Sequence, residues 1–290
     1  MKTAICAIIK DEHLYLKEWI DYHLSIGFDN IYLFEDKDSK SHSDIVNGYN
    51  NVNLRRYEDD CEVRELLKQQ GNSHRQLVLY SWFCNTYAND YDWVAFIDLD
   101  EFIFFQEGWT LHKLCDEFSQ YPAVLLCWKM MGASGHISRP SCGVIEAYTH
   151  EASILPEDAT WCYKSLVNLR RYKGMESLHF AVNAVKTNHA IYEGAQDPCT
   201  CYEKAWINHY FTKSWEEWCN RIFKRGGTLK GHRILSQFFD VNTDMEHMRE
   251  QLINSVSHMI PSGTHWLDKK NMKIAGGNIP LLKQISSITI

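Results

Sequence analysis

Three short acidic runs carry the chemistry that stands out in this chain: Asp11-Glu12, Glu35-Asp36 and Asp98-Leu99-Asp100-Glu101, each directly after an apolar, β-prone stretch. Carboxylates gathered without matching cations repel one another, and a divalent ion carrying a bound phosphate relieves that repulsion. Parallel α/β sheets bind ligands beyond the carboxyl ends of their strands, so three acidic strand ends are expected to line one crevice. An isolated Asp-x-Asp is common by chance and reads as a solvated turn. Its position after the continuous apolar run Trp93-Val94-Ala95-Phe96-Ile97, as expected of a strand covered on both faces, favours a site instead.

The elements that must hold these acids follow from periodicity. Thr3 to Ile9 reads as a buried strand, Leu16, Ile20 and Leu24 recur at helical spacing up to Gly27, and Asn30 to Phe34 reads as a second strand. Connections this short make a βαβ unit with parallel, neighbouring strands. Val52 to Tyr57 suggests a short third strand, and a helix over 73–87 would place Leu77, Tyr80, Cys84 and Tyr87 on one face, widened by Trp82 and Phe83. Beyond the acidic step come an apolar stretch at 102–105, a helix over 109–118, a strand at 123–128, a glycine-bearing loop over 132–143 and an extended segment at 144–148. A loop over 151–158 and late strands at 165–169 and 181–185 precede the helix at Ser214. There Ser214 and Glu217 form a capping box, Trp215, Trp218 and Ile222 give an apolar stripe, and Gly226-Gly227 closes it. The fold class expected is α/β, a mainly parallel central sheet flanked by helices, with one domain over 1–240 and a helical or tail extension over 241–290 whose apolar end, 278–290, could dock on the body.

With 290 residues, 45% hydrophobic and 23% charged, the chain can bury one sizeable core. A formal charge of -7 argues against a nucleic-acid partner, which would ask for a basic face. None of the ten cysteines form a CxxC pair, and Cys6, Cys84, Cys115, Cys127 and Cys219 sit in apolar or aromatic surroundings; most are read as reduced, buried thiols of a cytoplasmic protein. The first residues hold neither a span nor a cleavage-type segment, so neither export nor a membrane span is expected.

Four ordered segments resemble the glycosyltransferases related to families 2 and 92: Ile-Ile-Lys10-Asp11-Glu12 with Glu18-Trp19, the Trp93 to Phe102 segment, Trp128 to His136, and Asn208-His209-Tyr210 through Lys213-Ser214. The resemblance runs from about Thr3 to Lys230. It implies a GT-A, Rossmann-like fold, a nucleotide-sugar donor, with a UDP-sugar as the leading candidate, and a divalent metal between the Asp-x-Asp and the donor diphosphate. On that basis Asp98 faces the donor ribose or sugar and contributes to the metal site, Asp100 binds the metal, and His209 completes the metal or diphosphate contact. An imidazole is a competent ligand for Mn²⁺ and a poor one for Mg²⁺, which tilts the choice of cofactor to manganese. Lys10, Glu12, Asp36 and Arg75, with Gln76 beside it, are the further donor-binding candidates. Lys213, and with less weight Arg221, Lys224 and Arg225, could neutralise the departing diphosphate; otherwise they form a solvated basic face.

Transfer with inversion needs a base to take the acceptor's proton. Glu157 and Asp158 are the candidates preferred over Glu176, although a surface loop explains them equally well. His136 is expected to line the acceptor pocket, and Trp128 and Trp161 offer stacking faces for sugar rings. The expected acceptor is a glycan or lipid-linked sugar, as in polysaccharide biosynthesis, and the latter would bring peripheral membrane contact. A sugar nucleotidyltransferase would need a glycine-rich phosphate loop after the first strand, which Lys10-Asp11-Glu12 does not offer. A non-catalytic carbohydrate-binding module would leave the converging acids unexplained.

Overall fold

The computed structural model describes residues 1–36, 38–56, 59, 61–70, 75–152, 162–177, 179–192, 201–223 and 235–257. Strand β1 (Thr3–Ile9) is buried along almost its whole length, as its unbroken apolar run requires. Helix α1 (Leu16–Ser25) follows and ends with Gly27 in the left-handed region at φ +110°, where its N–H reaches the Leu24 carbonyl. Strand β2 (Asn30–Glu35) then pairs parallel to β1, from Ala4 opposite Asn30 to Ile9 opposite Glu35. The short helix α2 (Ser43–Val46) leads to β3 (Val52–Arg56), parallel to β2. Two helices, α3 (Cys61–Gln70) and α4 (Arg75–Thr86), precede β4 (Trp93–Phe96), which returns to the other side of β1 and pairs parallel to it. The strand order β3-β2-β1-β4 therefore reverses direction between β1 and β4. Such a reversal opens a crevice at the carboxyl ends of those two strands.

The remainder makes the sheet mixed. After β5 (Glu101–Phe105), α5 (Leu111–Glu117), β6 (Ala123–Met130), α6 (Val144–Ala147), β7 (Tyr163–Asn168), β8 (Val185–Lys186) and β9 (Ala205–His209), the order runs β3-β2-β1-β4-β7-β6-β9-β5. Strand β7 is antiparallel to both β4 and β6, β5 is antiparallel to β9, and β8 pairs parallel to β6. The result is an α/β fold with a mostly parallel but mixed sheet flanked by helices.

Several expectations change in detail. Residues 144–148, anticipated as extended, begin with helix α6: the N–H groups of Ala147 and Tyr148 close on the carbonyls of Gly143 and Val144, which outweighs the β-branched Val144-Ile145 pair. The strand anticipated at 181–185 reduces to β8, because Asn183 takes a left-handed conformation at φ +59° that breaks an extended run. Helix α4 buries Val78, Leu79, Tyr80, Trp82, Phe83 and Cys84, a broader surface than one stripe, while Leu77 and Tyr87 stay half-exposed. Cys127 is disulfide-bonded, which corrects its reading as a reduced thiol; Cys6, Cys84, Cys115 and Cys219 are buried and free. Strand-forming apolar surroundings say nothing about which sulfurs meet in space.

The chain divides into two compact units, Met1–Trp128 with Thr160–His209, and Lys129–Ala159 with Tyr210–Ile290. In the second, α7 (Trp215–Phe223), α8 (Gln237–Val241) and α9 (Arg249–Ser255) build a core from Trp215, Trp218, Ile222, Phe238, Leu252 and their neighbours. The capping box forms as expected, Ser214 Oγ donating to Glu217 Oε2 at 2.7 Å and accepting the Glu217 N–H at 3.3 Å. Gly226-Gly227 and the tail over 278–290 lie outside the described residues. Among the described residues, no helix is long and apolar enough to cross a membrane.

Candidate functional site

The register places all three acidic runs on one edge of the sheet. Ile9 pairs with Glu35, and Cys6 with Phe96, so the ends of β2, β1 and β4 stand side by side with Asp98 just past the last of them. At that point the chain turns sharply. The Glu101 N–H donates to the Asp98 carbonyl at 3.1 Å, and the Glu101 carboxylate accepts the Asp98 N–H at 2.9 Å. Helix α1 backs this turn, the Trp19 indole donating to the Glu101 carbonyl at 2.9 Å and the Tyr22 hydroxyl to the Ile103 carbonyl at 2.7 Å.

The turn sends its two aspartates into different company. Asp98 Oδ2 lies 2.7 Å from the Lys164 ammonium and Asp98 Oδ1 accepts from the Gln76 amide at 3.1 Å. Lys164 also stands 3.7 Å from Glu101, and both of those side chains are buried. Burial works against the Asp98 carboxylate, but the Lys164 charge outweighs it and holds the carboxyl below its usual range. For Glu101 burial wins over the same lysine and pushes its carboxyl well up, favouring the neutral form. Burial would strip Lys164 of its proton, yet the Asp98 charge raises its pKa and keeps it charged.

Asp100 faces His209 instead, Oδ1 to Nε2 at 3.7 Å, with both side chains largely buried. Antiparallel pairing of β5 and β9 sets His209 opposite Glu101 and so beside Asp100. Trp128 covers the imidazole, its ring centre 4.3 Å from that of His209, and meets His179 edge-on at 5.5 Å. Burial first, then the Lys164 charge, lowers His179 to about 4, so it is neutral at physiological pH.

A second group gathers where β1 and β2 end. Lys10 Nζ lies 3.6 Å from Asp36 Oδ1, and Arg75 Nη1 lies 4.0 Å from Asp36 Oδ2. Three of the sequence-derived donor candidates are thus brought together. Glu12 contributes its backbone N–H to the His42 imidazole at 2.9 Å.

The remaining candidates fall elsewhere. His136 and Lys213 belong to the second unit. There the His136 Nε2 contacts the Ala147 carbonyl at 3.1 Å and its ring meets Tyr148 edge-on, which ties it to α6. Lys213 takes a left-handed backbone conformation at φ +53° directly before the Ser214 cap. Glu157, Asp158, Trp161, Lys224 and Arg225 lie outside the described residues. Lys164 lies just outside the strand anticipated at 165–169, because β7 begins two residues earlier, at Tyr163. A lysine inside an otherwise apolar run was the available signal, since a buried ammonium requires a carboxylate partner.

A family model described as glycosyltransferase family 92 matches residues 3–259. The chain belongs to glycosyltransferase family 92. A family 92 protein of Oryza sativa subsp. japonica is 24% identical over 205 residues, covering 66% of this chain and 33% of that protein. One of Arabidopsis thaliana is 25% identical over 249 residues, covering 78% of this chain and 38% of that protein. This family 92 chain therefore spans about a third to two fifths of the length of the curated relatives it matches. Among solved structures, S. aureus TarS in complex with UDP-GlcNAc aligns at 14% identity and a TM-score of 0.33, covering 69% of this chain and 62% of that one.

Proposed function

We propose that this chain is a metal-dependent glycosyltransferase of GT-A type. It moves a sugar from a nucleotide-sugar donor, a UDP-sugar foremost, to a glycan or lipid-linked acceptor with inversion. The observation that carries this reading is the split of the acidic step at the strand-order reversal: Asp100 paired with His209, Asp98 held apart by Lys164.

The donor set fits a manganese ion in part. A carboxylate oxygen and an imidazole nitrogen 3.7 Å apart can share one first-row cation. Among the described residues no group of three or more His, Cys, Asp or Glu side chains comes together as a metal cluster. Diphosphate oxygens and water would therefore supply the other ligands, as is usual for ions that bind with substrate phosphates. When bound, the ion would offset negative charge on the leaving diphosphate. The chain's own side chains do the rest. Lys10 and Arg75, set around Asp36, form a polar wall for the nucleotide, and Asp98, oriented by Lys164 and Gln76, is suited to accept from a ribose or sugar hydroxyl. As the bond from the anomeric carbon to the diphosphate breaks, the acceptor oxygen attacks the opposite face and its proton passes to a carboxylate, with Glu157 and Asp158 the candidates. Trp128, beside His209, offers an aromatic face for a sugar ring.

The test is release of nucleoside diphosphate from a panel of nucleotide sugars with and without Mn²⁺, together with the thermal shift given by UDP plus Mn²⁺. The parent is expected to show metal-dependent release and a shift of several degrees, and Asp100→Ala to lose both. A variant that responds like the parent overturns the metal assignment. No metal-dependent release from any donor overturns the activity.

A further inference from the structure

Between the ends of β1 and β2 lies a buried imidazole that the reading above leaves without a task. His42 is 0% exposed, and its Nδ1 lies 2.8 Å from Glu35 Oε1, an oxygen that also accepts the His42 backbone N–H at 2.7 Å. The other Glu35 oxygen accepts from Arg56 Nε at 3.1 Å. Burial disfavours the Glu35 carboxylate, and these donors outweigh it, so the group stays ionised. An ionised carboxylate can only accept, which puts the imidazole proton on Nδ1 and leaves the Nε2 lone pair free to accept the Glu12 N–H at 2.9 Å. The loop so held is tied down again one residue earlier, where Asp11, at φ +53°, donates its N–H to Ser39 Oγ at 3.0 Å.

We infer that Glu35 and His42 form a positioning pair that fastens the Lys10–Glu12 loop to the Ser39–His42 segment after β2 and so presets the donor-nucleotide wall. This rests on the proposed function for its substrate, and on geometry alone for the clamp. A buried histidine–carboxylate pair adds little net stability over an apolar pair of the same size, because desolvation offsets the attraction. What it supplies is direction: one carboxylate on β2 selects the tautomer that fixes a backbone amide of another loop. The charged and titratable groups around the ring are Glu35, Glu12, His13 and Arg56, with His13 stacked at 3.9 Å. Burial lowers the His42 pKa against the pull of Glu35, so the acceptor is available at neutral pH and lost in acid.

Two variants separate the contacts. His42→Asn keeps a donor for Glu35 and is too short to accept from Glu12; His42→Gln reaches the Nε2 position and restores that acceptor. Dissociation of UDP with Mn²⁺ is read by calorimetry, donor KM and kcat by diphosphate release, and the loops by hydrogen exchange at the Glu12 amide. His42→Asn is expected to weaken UDP and raise donor KM about tenfold, the size of one lost buried hydrogen bond. It should leave kcat within about twofold and speed exchange at Glu12, with His42→Gln recovering most of the loss. Parent-like affinity and exchange in His42→Asn overturn the clamp, as does a fall in kcat as large as the rise in KM. If the parent binds no nucleotide, the proposed function fails, while exchange at Glu12 still decides the clamp. Glu35→Gln, which keeps shape and releases the tautomer, serves if His42→Asn does not fold and should shift exchange the same way.

Discussion

Replacing Lys164 by methionine removes the ammonium buried against the acidic step while keeping its volume. The gross attraction across 2.7 Å to Asp98 is about 6 kcal/mol at an effective dielectric near 20. Desolvation of the buried lysine offsets much of that, and stripping one partner from a buried pair costs about 3–5 kcal/mol net. The low end applies, because the Asp98 side chain is 39% exposed and can turn to water, and because Glu101 already favours its neutral form. About 3 kcal/mol lowers the melting temperature of a chain this size by about 6–12 °C. Calorimetry on Lys164→Met, Asp98→Asn and the double variant reads it directly. Each single change leaves a charge or a polar group without its partner, whereas the double change removes both charges of the pair, so the double loss should fall short of the sum by about 2 kcal/mol. Losses that simply add, or a melting temperature for Lys164→Met within about 2 °C of the parent, refute the ion pair as drawn.

Two further outcomes concern stability. His23 is fully buried, its Nδ1 2.8 Å from the Trp19 carbonyl and its Nε2 accepting the Ile103 N–H, and burial lowers its pKa to about 3. The unfolded chain takes up this proton near pH 6.5 and the folded one only near 3. Stability should therefore fall as pH drops through that window, by up to about 1.4 kcal/mol per unit from this group; a pH-stability slope unchanged in His23→Gln refutes it. A Cβ at Gly132 would lie 2.7 Å from Asn242 Oδ1. That side chain is fixed by the Ala133 N–H, Thr212 and the Phe238 carbonyl. Gly132→Ala should cost about 1–3 kcal/mol in urea unfolding and Gly48→Ala, with open space around it, far less; equal costs would remove the steric explanation.

The parts legible in the sequence were those with local signals. Strand β1, helix α1 with its Gly27 stop, β2 and the capping box at Ser214 each announce themselves within a few residues, and the order of the first elements gave their parallel pairing. The acids were legible because each follows its strand directly. Lys164 and His42 were not, because each acts on a partner far along the chain: Lys164 on Asp98 across β7 and β4, His42 on Glu12 across α1 and β2. Strand β9 was readable in principle, since Ala205, Ile207 and His209 alternate with half-exposed neighbours, but its role depends on a partner strand that only pairing reveals.

That dependence explains the different surroundings of the two aspartates in the acidic step. Asp98 and Asp100 are two residues apart, and nothing in an Asp-x-Asp says that they differ. The chain turns between β4 and β5, so Asp98 remains with the parallel half of the sheet and meets a cation from β7, while Asp100 enters the antiparallel half and meets an imidazole from β9. A carboxylate beside a buried ammonium has its charge already offset, which weakens its pull on a second cation. The same turn that makes the sheet mixed is therefore what gives two chemically identical side chains different surroundings, and the proposed split of donor and metal contacts between them rests on that difference.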